Sequence, residues 1–207
     1  MPRPTKPPRE RSAEAFVPPA PRSGRRSVRG QSGQSLVEFA VSSVVLLLLV
    51  GGLVDIGRSI YIQESLSNAV REGARHGIWY DAPTLSHPYL DDVQIKAAVD
   101  AELAAISLPS SVLKTPGCPS PSDGNSFYNP PYGSAYYPTA ANQPWLYICY
   151  NNTPSSDYPS SPPSAAVGGW DLNVIILYSY APLTAIARSQ LGIFNVAANE
   201  HMTVQGT

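Results

Sequence analysis

Apolar and polar positions alternate in three different ways along this chain. From Leu36 to Val54 they hardly alternate at all: 19 residues carry one charge, Glu38, and contain the unbroken stretch VVLLLLV. A bilayer core is spanned by about 20 such residues in a helix. A secretory signal has a shorter apolar region and a small-residue cleavage site after it. Here Asp55 and Arg58 follow. The pattern therefore predicts a retained membrane helix, since a stretch apolar on every side has no face to offer water in a soluble core.

Beyond Val54 the period becomes helical. Ile56, Ile60, Leu66, Ala69, Val70, Ala74 and Ile78 recur at helix spacing, and no proline interrupts residues 34–82. The spacing predicts one helix over about Ser35–Gly77, its first part in lipid and its second packed under an outer domain. Gly51, Gly52, Gly57, Gly73 and Gly77 permit close helix approach and lower helix propensity, with a bend expected near Gly51-Gly52. Asp81–Tyr89, with Pro83 and Pro88, predicts a turn-rich break. A second helix is expected over Asp91–Ile106, capped by Asp91 or Asp92, with Val93, Ala97, Ala98, Ala101, Ala104 and Ala105 as its apolar face.

Residues 107–170 lose the helical period and hold twelve of the 22 prolines, with seven tyrosines between Tyr128 and Tyr158. Trp145–Tyr150 is the strand-like island in it. Leu172–Tyr180 predicts the best strand, Leu183–Leu191 a short helix, and Phe194–Val204 a last strand alternating through Phe194, Val196 and Ala198. The expected fold class is α+β: a long N-terminal transmembrane helix continuing into a small outer domain with a second helix and an antiparallel sheet of about three strands. The corresponding segments are a basic disordered leader at 1–33, a membrane helix at 34–55 and an outer domain at 56–207.

Charge adds an orientation. Residues 1–33 hold eight basic side chains and two acidic ones, while six basic and thirteen acidic residues follow from Gln34 onward. A basic flank before an apolar run keeps the N-terminus in the cytoplasm. No folded basic module or set of stacking aromatics accompanies that flank, so nucleic-acid binding is not expected. Cys118 and Cys149 both fall after the run. If that part lies outside the cytoplasm they can pair as a disulfide; two free thiols or a metal pair are the alternatives.

Glu38 is the residue the apolar run leaves unexplained. A carboxylate inside a span is costly unless it faces a partner, although near the edge it can snorkel to the headgroups. It stands at the fifth position after Gly33, behind a basic segment. This arrangement resembles the processing site of type IV pilin-like proteins. More narrowly, Leu36-Val37-Glu38-Phe39-Ala40, then Asp55-x-Gly57-Arg58, then Leu66-x-Asn68-Ala69-x-Arg71-Glu72-Gly73-Ala74-Arg75 resemble the N-terminal region of TadE-like proteins, pseudopilins of the tight-adherence (Tad) pilus system. The proline usual inside that family's membrane run is absent, with Ser42-Ser43 near its place.

The resemblance implies a pilin-like outline, cleavage after Gly33 by a prepilin peptidase, Gln34 as the new N-terminus and Glu38 as the assembly carboxylate. Gly30 is a second glycine at which the cut can fall. It also implies related pseudopilins, the major pilin, platform membrane proteins and the lipid bilayer as partners. The protein would be a single-pass protein of the cytoplasmic membrane with its C-terminal domain outside. A second reading makes the Tyr/Pro-rich loop an adhesin displayed on the same anchor, and a third an anchored enzyme. No catalytic motif supports the third. His76, His87 and His201 are scattered, no metal motif is present, and no cofactor is expected.

Overall fold

The computed structural model describes residues 31–78, 91–114, 117–125, 128–151 and 171–203. The expected leader up to Gly30, the Asp81–Tyr89 break with His87, and loop residues 152–170 lie outside them. The chain divides into two compact units, Met1–Val44 and Val45–Thr207. The described part of the first is the opening of helix α1, which runs Gln31–Ile78. The helix begins before Gly33, ahead of the expected start at Ser35, and continues without interruption through Gly51-Gly52.

The second unit is built on the rest of α1. Helix α2, Asp92–Ala105, is capped by Asp91, whose side chain accepts from the Val93 and Gln94 amides. Four strands follow: β1 Val112–Leu113, β2 Pro144–Asn151, β3 Asp171–Tyr180 and β4 Phe194–Thr203, with helix α3, Ala185–Leu191, between the last two. Their order in the sheet is β1-β2-β3-β4. The β2–β3 and β3–β4 pairs are antiparallel, and β1 joins β2 in parallel through Val112 opposite Trp145. The sheet is therefore mixed and four-stranded. The two-residue β1, inside the segment expected to be irregular, is the strand the pattern did not predict.

All ten residues of β3 are buried, because both faces of the sheet are covered. On one face Leu172, Val174, Ile176, Tyr178 and Tyr180 join Ile62, Leu66, Ala69, Val70 and Ala74 of α1 and Ile95, Val99 and Leu103 of α2 in the main core. On the other, Ile175 and Leu177 pack with Tyr132, Tyr137, Tyr147 and Cys149 in a second cluster. The described part of the proline-rich segment forms this lid. It is tied down by Ser179 Oγ donating to Pro138 O (2.7 Å) and Tyr178 Oη donating to Asn142 Oδ1 (3.0 Å).

Two predicted faces are corrected. The buried stripe of α2 is Ile95, Val99 and Leu103; Val93 is exposed, as are Ala97, Ala101, Ala104 and Ala105. Burying the larger side chains removes more apolar area from water than burying methyl groups, so they set the rotation of the helix. On α1, Ile56 and Ile60 are exposed, and the core contact begins at Ile62. Gly73 and Gly77 let α1 approach its neighbours closely. A Cβ on Gly73 would lie 2.5 Å from Val99 Cγ2, and one on Gly77 would lie 2.3 Å from Leu172 Cδ2.

Candidate functional site

Gly33, Gln34 and Glu38 all lie on the opening turns of α1. Four residues separate Gln34 from Glu38, which puts both side chains on one face. There Gln34 Nε2 donates to Glu38 Oε1 at 3.0 Å, in an exposed setting. The apolar residues that follow are bare: Leu46, Leu47, Leu49 and Leu53 are each more than 60% exposed. A helix that belonged to a soluble core would have them covered. α1 is long and apolar enough to cross a membrane.

Where the apolar run ends, Asp55 is buried. Its carboxylate accepts from Leu183 N (2.7 Å), from Thr184 N (3.2 Å) and from the Thr184 hydroxyl. One helical turn earlier, Gly51 leaves room for Thr184: a Cβ there would sit 3.3 Å from its methyl group. Thr184 in turn caps α3 by accepting from Ala187 N. Tyr180 Oη donates to the Asp55 carbonyl (3.3 Å), and the Arg58 guanidinium lies 5.5 Å from the Tyr180 ring centroid. Asp55 thus fastens the β3–α3 connection to α1. Sequence reasoning saw Asp55 as the end of the apolar run and missed this clamp. Its partners lie 128 and 129 residues away, beyond any local pattern. The available signal was a Pro-Leu-Thr step ahead of a short helix, which marks Thr184 as a cap.

In the second unit Cys118 and Cys149 form a disulfide, Cα to Cα 6.0 Å, joining the lid to β2. Burial pushes the Tyr147 hydroxyl up to about 12, so it stays neutral and donates to Tyr136 O at 2.7 Å. On α2, burial raises the Asp92 carboxyl, which accepts from Tyr150 Oη. Burial also works against the charged form of Asp100. Hydrogen bonds from Lys96 Nζ, Ser111 N and Ser111 Oγ outweigh it and hold that carboxyl below the usual range. Among the described residues no group of three or more His, Cys, Asp or Glu could hold a metal ion.

The described chain is thus a single long apolar helix, bare at first and then built into an α+β domain. The model of the TadE-like protein family matches residues 33–75, most of helix α1, so this stretch is similar to that family. That family is a structural kind of protein associated with the Tad pilus. Neither a curated protein nor a solved structure matches the chain.

Proposed function

We propose that this chain is a TadE-like minor pilin or pseudopilin that helps assemble a Tad-type pilus or a related secretion apparatus. The observation that carries the reading is the TadE-like match over a helix whose opening turns pair Gln34 with Glu38. In this reading residues 34–55 cross the cytoplasmic membrane with the N-terminus inside. The prepilin peptidase cuts after Gly33, and the helix packs laterally against related pseudopilins, the major pilin and the platform proteins. The exposed Glu38 carboxylate then faces a cation of a neighbouring subunit. An amine and a carboxylate attract strongly in a low-dielectric layer, and each alone is penalised there.

Replacing Glu38 with alanine tests this directly. Membrane insertion should be kept and pilus assembly lost; normal piliation in Glu38→Ala would overturn the mechanism. N-terminal sequencing of the membrane-fraction protein tests the processing step, with Gln34 at the start expected and Met1 contradicting it.

The adhesin reading draws on the tyrosine-rich segment. Tyr132, Tyr137, Tyr147 and Tyr150 are buried, which supports packing more than display for these four. Deleting residues 120–143 separates the two readings: filaments without adhesion favour display, and loss of filaments favours an assembly role.

A further inference from the structure

Beyond α1, the exposed large apolar side chains among the described residues are Val93, Val112, Leu183, Ile186, Leu191, Ile193 and Phe194. Five of these seven fall within twelve consecutive residues, around α3. Leu183, Ile186, Leu191 and Ile193 are each more than half exposed. Residues 181–198 carry one charge, the basic Arg188. Scattered exposed leucines need no explanation, but a cluster of this kind marks a contact surface.

Its place in the fold identifies the contact. Asp55 holds Leu183 and Thr184 by their backbone amides, and Gly51 abuts Thr184. Counted from Leu36, about 20 helical residues at about 1.5 Å each reach Asp55, which is the thickness of a bilayer core. The clamp therefore pins the apolar cluster to the level at which the helix leaves the hydrocarbon. This step rests on the reading of α1 as a membrane span.

We infer that the α3 segment, residues 183–194, is a second membrane contact that lies in the outer interfacial layer beside the anchor. Leu183, Ile186, Leu191 and Ile193 enter the boundary between headgroups and acyl chains, and Arg188, whose guanidinium donates to Pro182 O at 3.2 and 3.0 Å, turns its remaining donors to the headgroups. A short segment with apolar side chains and a basic one suits an interface, where buried apolar area and attraction to anionic lipid add together. Two attachments, one spanning and one interfacial, restrict tilt and rotation of the outer domain on its helix.

The test uses the full chain in anionic phospholipid vesicles with its disulfide oxidised. Single introduced cysteines, Ile186→Cys, Leu48→Cys and Val93→Cys, carry a polarity-sensitive fluorophore. Each is exposed to a quencher borne on the lipid and, separately, to iodide in the water. Lipid quenching is expected at Leu48 and Ile186, with the iodide quenching seen at Val93 largely lost at Ile186. Lipid quenching at Leu48 with strong iodide quenching at Ile186 overturns the inference and leaves the anchor standing. Shielding of Ile186 from both quenchers overturns it in favour of a protein partner, such as a second copy. Iodide quenching at Leu48 removes the span, and the inference with it.

Discussion

Replacing Gly73 with alanine sets two opposed effects of known size against each other. Alanine in place of glycine inside a helix stabilises by about 0.5–1 kcal/mol through chain entropy. At Gly73 the new methyl group would lie 2.5 Å from Val99 Cγ2, with Val174 Cγ1 at 3.5 Å and Ile95 Cγ2 at 3.7 Å. Carbon atoms prefer about 3.5–4.0 Å, so the Val99 contact is short by about 1 Å. Val99 is fully buried, and valine in a helix has essentially one rotamer. The clash is relieved only if α2 moves away from α1, and such overpacking costs about 1–3 kcal/mol. The expected balance is a net loss of about 1–2 kcal/mol, or roughly 4 °C in Tm for a chain of this size.

Gly57→Ala is the control, because a Cβ there meets nothing within 4 Å. It should keep the entropic gain alone, which puts the two variants apart by the overpacking cost, about 1–3 kcal/mol. Denaturant unfolding of the full chain in detergent micelles, followed by near-ultraviolet circular dichroism, measures the gap. A Gly73→Ala protein as stable as the parent would show that α1 and α2 are not packed at glycine distance. Equal destabilisation by both variants would show that the effect is not steric.

Four other outcomes follow from the same structure. Asp100 is held below its ordinary 3.8, so its contribution is complete above that value and is lost as pH falls through the folded value; Asp100→Asn should flatten the acid limb of stability against pH. Asp92 is raised, so stability should increase as pH falls from its folded value towards 3.8, and Asp92→Asn should remove that slope, both read from urea midpoints between about pH 2.5 and 6. Cys149→Ser opens a loop of sequence separation 31 and should cost about 3–4 kcal/mol on the chain-entropy account, read from the same unfolding curves. Asp55→Ala leaves the Leu183 and Thr184 amides without their acceptor, so hydrogen exchange at those two positions should accelerate while exchange in β3 is unchanged.

What the sequence disclosed depends on how local the deciding interaction is. Strand β3 was legible because its own residues are β-branched and aromatic, and the long apolar helix because nineteen residues share one solvent preference. The face of α2 was misread because six small or peripheral residues outnumbered Ile95, Val99 and Leu103. Burial follows area rather than number, and those three stand at i, i+4 and i+8. The two residues of β1 had no pattern to show, since their parallel pairing depends on β2, whose Trp145 lies 33 positions from Val112. For the candidate site, the Gly33–Glu38 spacing was visible and the Asp55 clamp was not. The first is one turn of helix, and the second is a contact between distant parts of the chain.

The helix changes its surroundings along its length, and the family match includes both stretches. From Phe39 to Val54 its side chains are almost all apolar and largely uncovered; from Ile62 it supplies five residues to the main core. Among the described residues, the sheet face carrying Val174, Ile176 and Tyr178 is buried against α1 and α2 together. One element thus carries both the exposed apolar run and the core of the second unit, with Asp55 where the first passes into the second. On the proposed function, substitutions before Asp55 should act on insertion and lateral packing, and those after Ile62 on the stability of the domain. The match over residues 33–75 includes both stretches and ends three residues before the helix does. The region beyond needs only to keep a sheet face apolar and a lid attached, a condition that many sequences meet.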